Sequence, residues 1–246
     1  AERPDGTGAV PDIFSLRRLD LFSYNEFLSF THKPAGEQAV NEFLSRGAFP
    51  GLIKTGHTEA LHQLYTEILC KDAVIAGGIR DRNTLQRMAL HLITNTGEPV
   101  TANKLREKLK IKAVSTAAEH MQCIETAGLV RFVSILSDNP ARQAVNPRKV
   151  YAVDTALAAA VSTADRNKLF ETMLFNHLCR ESRSVCYTNE QGGCDFIASD
   201  AEGGVRCIQA CYDDDPDLMQ TKTDGLLWAL RQTGASRGTI VTADRN

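Results

Sequence analysis

The stretch Thr101-Ala-Asn-Lys-Leu-Arg-Glu-Lys-Leu-Lys-Ile-Lys-Ala-Val-Ser-Thr-Ala-Ala-Glu-His-Met-Gln-Cys-Ile-Glu-Thr-Ala-Gly128 carries two short helical patterns back to back. Thr101 stands where an N-cap hydroxyl would accept an orphan N–H, and Leu105 and Leu109 give the helix Ala102 to Leu109 its inner face. Ile111-Lys-Ala-Val114 reads as the turn. Ser115 or Thr116 then leads into a helix whose inner face is predicted as Val114, Ala118, Met121, Ile124 and Leu129. Gly128 sits where a left-handed residue would end it. Upstream, Leu85, Met88, Ala89, Leu92 and Ile93 predict another amphipathic helix, broken at Gly97-Glu-Pro99. Downstream, Val130 to Leu136 and Lys149 to Val153 read as strands on either side of a polar stretch holding Pro140, Arg142, Pro147 and Arg148. Three helices followed by a two-stranded hairpin is the order of a winged helix, expected over residues 83–155.

Residues 156–246 are predicted as a second α/β unit. Lys168 to Leu178 is apolar nearly all round, as a buried helix is. Cys186 to Asn189, Cys194 to Ala198 and Val205 to Tyr212 read as consecutive strands, with Gly192-Gly193 and Gly203-Gly204 as hairpin turns. A helix over Leu218 to Leu230 and a strand over Gly238 to Thr242 follow, and a further element is expected after that strand. Residues 1–82 are expected to be a connector. It opens with a Gly- and Pro-containing loop over 1–12, and Ser15 to Phe30 alternates before turning aromatic. Short helical patterns follow over Glu37 to Leu44 and His57 to Val74, separated by a turn over Arg46 to Gly51.

The 246 residues carry 43% apolar and 24% charged side chains, an ordinary globular composition. No apolar run approaches the ~20 residues that span a bilayer, and no secretory leader opens the chain, so a cytoplasmic protein without a membrane partner is expected. The start at Ala1 rather than Met is that of a processed or excised chain. Net charge is −2, but residues 83–155 alone are net +4. Seven cysteines, five of them between Cys179 and Cys211, fit a reducing compartment better than a disulfide framework. No C-x-x-C occurs, and no zinc site is expected.

No G-x-x-x-x-G-K-[ST], H-E-x-x-H or G-x-G-x-x-G is present, so the chain by itself lacks a P-loop. One constellation resembles a catalytic layout. Glu171 lies on the buried helix and Asp195 opens the second strand, while Gln209 and Cys211 share one face of the third. A helix acid, a hairpin aspartate and an acid-x-lysine pair form the PD-(D/E)xK nuclease core, in which carboxylates hold Mg²⁺ and lysine stabilises charge at phosphorus. Here Gln209 replaces the second carboxylate and Cys211 the lysine, so cleavage is not expected. Taken singly, Glu171 also fits a helix-start acid and Asp195 a turn residue. In the winged-helix unit, Ser115, Thr116, Glu119, His120 and Gln122 are predicted outward without an arginine among them. The basic groups Lys104, Arg106, Lys108, Lys110, Lys112, Arg142, Arg148 and Lys149 are the candidate contacts to a phosphate backbone. A packing module with a solvated basic helix is the alternative.

Several stretches together resemble prokaryotic AAA-type ATPases with a C-terminal DUF4143 domain. They are Leu19-Asp-Leu-Phe-Ser-Tyr-Asn-Glu-Phe27, Gly47-Ala-Phe-Pro50 (G-G-F-P in the family), Leu64-Tyr-Thr-Glu-Ile-Leu-Cys-Lys-Asp72 and Lys149-Val-Tyr-Ala-Val-Asp154 (K-x-Y-x-x-D). Phe170-Glu-Thr-Met-Leu-Phe175, Cys194-Asp-Phe196 and Ile208-Gln-Ala-Cys-Tyr212 complete the set. The resemblance implies a winged helix followed by a degenerate restriction-endonuclease-like domain. The chain would be the C-terminal, non-nucleotide-binding region, with ATP and Mg²⁺ expected only on an ATPase core that is absent here. The expected partner is double-stranded DNA or another protein. An active metal-dependent nuclease and a purely structural or oligomerisation module are the alternatives.

Overall fold

In the computed structural model, which describes residues 19–56, 59–69, 79, 81–137, 139, 146–161, 165–190, 192–213 and 215–243, the Thr101 hydroxyl accepts the Lys104 N–H at 3.1 Å and starts a helix over Ala102–Leu109. The described helices are α1 (Tyr24–Thr31), α2 (Glu37–Arg46), α3 (Pro50–Thr55), α4 (Glu59–Ile68), α5 (Arg82–Thr94), α6 (Ala102–Leu109), α7 (Val114–Thr126), α8 (Thr155–Val161), α9 (Arg166–Glu181) and α10 (Pro216–Thr233). The strands are β1 (Pro99–Val100), β2 (Val130–Val133), β3 (Arg148–Ala152), β4 (Ser184–Thr188), β5 (Cys194–Ser199), β6 (Val205–Cys211) and β7 (Gly238–Thr242). The fold is mixed α/β with two sheets. One has the order β1-β3-β2 and is antiparallel. The other has the order β4-β5-β6-β7, antiparallel except for the β6–β7 pair. Leu136 N–H to Tyr187 O at 2.7 Å and Tyr187 N–H to Ser134 O at 3.2 Å tie the two sheets together.

Helix α9 lies between the sheets. Its Phe175 stacks on Tyr151 of β3 at 4.3 Å and on Phe196 of β5 at 6.0 Å, so one aromatic column crosses from sheet to sheet. Strand alternation then sorts β6: Ile208, Ala210 and Tyr212 join the core on the α9 side, while Cys207 packs with Ile197, Leu226 and Ala229 under α10. Glycine at position 225 lets α10 approach the Gly193 carbonyl, which a Cβ would overlap. The largest apolar cluster draws on Val40, Leu85, Tyr151, Phe175 and Ala243, and so on all three sequence segments.

Four local expectations need correction. The buried face of α7 is Ala117, His120, Met121 and Ile124, whereas Val114 and Ala118 are exposed. His120, expected outward, is therefore interior, and burial pulls its imidazole below its ordinary pKa against the nearby Asp81 and Glu119. The aromatic segment before Phe30 is helical from Tyr24, closed by a reciprocal cap in which Glu26 N–H meets Ser23 Oγ and Ser23 N–H meets the Glu26 carboxylate. The turn expected over Arg46 to Gly51 stops at Phe49, because Pro50 is the first residue of α3, where a missing N–H costs nothing. The loop expected over 1–12 and the helix end near Lys71-Asp72 lie outside the described residues.

Candidate functional site

Glu171, Asp195 and Gln209 do converge, and two lysines come with them. Lys149 of β3 points between the sheets, its Nζ 2.8 Å from Glu171 Oε1 and 3.4 Å from Asp195 Oδ1. Lys222 of α10 pairs with the other oxygen of Asp195, Oδ2. The Tyr151 hydroxyl, two residues along β3 and therefore on the same side, donates to Glu171 Oε1 at 2.6 Å. Ala210 N–H donates to Asp195 Oδ2 at 3.0 Å. Two carboxylates thus face two ammonium groups, with side-chain exposures of 7% and 9% for the acids and 15% and 18% for the lysines.

Electrostatics follow from that packing. Burial would raise the Asp195 carboxyl, but Lys149 and Lys222 outweigh it and hold the group below its ordinary range. Burial would lower Lys149, but Glu171 and Asp195 hold it above its ordinary value. Burial, then the Glu171 carboxylate, push the Tyr151 phenol far up, so it remains a donor.

Gln209 is fully buried and uses its amide at both ends. Its Oε1 accepts Asp195 N–H at 3.0 Å, and its Nε2 donates to Gly193 O at 2.8 Å and Lys222 O at 3.0 Å. A carboxylate here would face two carbonyl oxygens. Gln209→Glu is therefore expected to cost about 2–3 kcal/mol in a urea melt and to bring no Mn²⁺ binding by calorimetry. Cys211 lies at the end of β6, its thiol donating to Asp213 O at 3.2 Å. The position expected for a lysine is thus apolar, and the ammonium arrives from α10 instead. Lys222 carries no local signal in the sequence, since it sits mid-helix without a motif.

This donor set does not fit a divalent cation as arranged. Glu171 Oε1 and both Asp195 oxygens are engaged by Lys149, Lys222, Tyr151 and Ala210 N–H, and among the described residues no group of three or more His, Cys, Asp or Glu could hold a metal. Burial, with Cys207 close by, pushes Cys186 up to about 11 and Cys194 up to about 12.

The other expected site residues divide. Lys104, Lys108, Lys110 and Lys112 are exposed along α6 and the turn into α7, with no ion pair to a described residue. Arg106 pairs with Glu107 at 3.0 Å, and the Arg148 guanidinium lies 4.4 Å over the Phe132 ring. Lys149, expected on the wing surface, is withdrawn into the carboxylate cluster, because strand alternation turns it opposite to Arg148. Arg142 lies outside the described residues.

A second polar centre joins two motifs that are far apart in sequence. The buried Asp154 carboxylate accepts Ala48 N–H at 2.6 Å across the fold, and Ala156 N–H at 2.7 Å and Leu157 N–H at 3.4 Å at the start of α8. Within the stretch Lys149 to Asp154, Lys149 and Tyr151 thus hold Glu171, while Asp154 holds the Gly47-Ala-Phe-Pro50 turn.

No curated protein and no solved structure matches the chain. Residues 37–168, more than half of it, match the profile of a family described as Domain of unknown function (DUF8612), a span that contains Gly47, the basic helix and the Lys149, Tyr151 and Asp154 triplet but ends before Glu171. The chain belongs to the DUF8612 family.

Proposed function

We propose that this chain binds the phosphate backbone of double-stranded DNA through α6 and the turn after it, next to a nuclease-like carboxylate site that does not cleave. The observation that carries the reading is the row Lys104, Lys108, Lys110 and Lys112, exposed and without an ion pair to a described residue in a chain of net charge −2. Clustered lysines without acidic partners are the electrostatic footprint of a polyanion partner. The order helix, short strand, two helices, two strands over α5 to β3, with α6 packed on α7, supports a winged-helix reading. The absence of arginine from the outer face of α7 supports backbone contact rather than base reading. The ammonium groups seated on Glu171 and Asp195 support the absence of cleavage. With the resemblance to DUF4143-type ATPases, the reading extends to a C-terminal DNA- or partner-binding region of such an ATPase.

Fluorescence anisotropy on a duplex across a salt series, with Mg²⁺ present and the DNA checked on a gel, tests it. Affinity is expected to fall steeply with salt, and Lys104→Ala/Lys108→Ala/Lys112→Ala is expected to flatten the log–log slope by about 0.9 for each phosphate no longer neutralised. Binding that is absent at low salt, or unchanged in the triple variant, overturns the backbone reading. A cut product that disappears in Asp195→Ala overturns the non-cleaving one.

A further inference from the structure

A cavity of about 580 Å³ opens between residues 19–25, the Ala48-Phe49 turn, the end of α7 with β2, and α9. It touches neither the basic row nor the Glu171–Asp195 cluster. Its walls are largely apolar and include Phe22, Phe43, Val130, Val153, Met173 and Leu174. That volume and lining suit the body of a small organic molecule. Residues 19–25 form one wall, held to the body of the fold by Phe22 N–H to Ala48 O at 2.9 Å.

One cation on the walls is poorly served. The Arg131 side chain of β2 is only 27% exposed, yet its guanidinium makes no hydrogen bond to a described residue. Its ion pair is with Asp20, at 3.5 Å from Nη2 to Oδ1, whereas a charge-assisted hydrogen bond closes to about 2.7–2.9 Å. Asp20 lines the same cavity, so this pair places the Nη2 end of the fork against it. The other basic groups on the walls are better served, Arg180 donating to Glu26 at 3.0 Å and His177 lying 3.4 Å from Glu181. A largely desolvated guanidinium without hydrogen-bonded partners is costly, and a ligand that supplies acceptors relieves that cost.

The surroundings set the ligand's charge. A guanidinium fork takes a carboxylate or a phosphate through two parallel N–H bonds. Asp20 and Glu125 stand on the same walls, and Glu125 Oε1 already accepts Phe132 N–H at 3.0 Å. A dianion facing one arginine and two acids would be left uncompensated, so a single negative charge fits best.

We infer that this cavity binds a monocarboxylate with an apolar body, its carboxylate seated on the Arg131 fork in place of Asp20. Asp20 then holds the seat while the ligand is absent. The probe is 4-phenylbutyrate, and 4-phenylbutan-1-ol keeps its length while removing the charge. Calorimetry on the native chain is expected to show one phenylbutyrate site, with a melting temperature that rises with its concentration. The ¹H–¹⁵N shifts should centre on residues 19–25 and on β2. The alcohol is expected to bind about tenfold more weakly. Arg131→Gln should weaken the acid by about tenfold and leave the alcohol unchanged. Asp20→Asn, at an exposed position, removes the competing carboxylate and should tighten the acid about threefold. No binding of the acid by the native chain or by Asp20→Asn would overturn the inference. So would equal binding of acid and alcohol, acid binding untouched by Arg131→Gln, or acid binding not tightened by Asp20→Asn. None of these outcomes bears on DNA binding.

Discussion

Lys149→Met is expected to destabilise the fold by about 3–5 kcal/mol, the cost of leaving a buried charge without its partner. Methionine keeps the unbranched stem, so packing changes little and the loss is electrostatic. Among the described residues Glu171 would retain only the Tyr151 hydroxyl, and Asp195 would retain Lys222 and the Ala210 N–H. Urea melts at neutral pH read the loss. Adding Glu171→Gln to Lys149→Met is expected to recover most of it, because removing both members of a buried pair is far milder than removing one. Tyr151 keeps an acceptor in that double variant. A single-variant cost below about 1 kcal/mol would mean that Lys149 is solvated and that the cluster is a surface ion pair in energetic terms.

The pH dependence of the same variant has a definite sign. Asp195 is held below its ordinary value of 3.8 in the folded chain, so it binds fewer protons than in the unfolded chain. Its contribution is present above about pH 4 and is lost as pH falls through the folded value. The gap between the native chain and Lys149→Met should therefore be open at pH 7 and close progressively below about pH 4. Lys149 adds nothing to that window, since its raised value moves its own titration further into alkali.

Much of this fold is legible from local chemistry. The Thr101 cap, the α6 inner face of Leu105 and Leu109, the Gly238–Thr242 strand and the alternation along β6 follow from side-chain type and period alone. The errors have physical causes too. On α7 the apolar side chains of Val114 and Ala118 suggest one period, and the polarity of His120 suggests an outward position. The true face takes Ala117 in place of Ala118, leaves Val114 outside and accepts histidine inside. Alternation places Lys149 and Tyr151 on one side of β3, but nothing local says that α9 covers that side, so a basic residue beside Arg148 reads as surface charge. The carboxylates are visible because strand and helix patterns flank them. The cations that neutralise them come from β3 and from α10, contacts that only the tertiary arrangement of two sheets around α9 creates.

The Gly47-Ala-Phe-Pro50 turn shows the same long-range dependence, and it carries the second large effect. Gly47 has φ 73°, and a Cβ there would fall onto Asp154 Oδ1 and within 2.7 Å of the Ala156 methyl. Gly47→Ala is thus expected to cost about 3 kcal/mol at pH 7, from left-handed backbone strain plus displacement of Asp154 from its buried N–H donors. The two contributions separate by pH. Burial pushes Asp154 up to about 6, against the N–H bonds from Ala48, Ala156 and Leu157, while the unfolded value is 3.8. The folded chain therefore holds an extra proton between those values, and this group makes the native chain less stable as pH rises from 4 to 6. A variant that expels Asp154 into water no longer bears that cost. Its deficit against the native chain should widen on acidification, by up to about 3 kcal/mol between pH 6 and pH 4. Urea melts of both chains at pH 4, 5, 6 and 7 measure it. A deficit that stays constant across that range would place the whole effect in backbone strain, with Asp154 still seated against Ala48, Ala156 and Leu157.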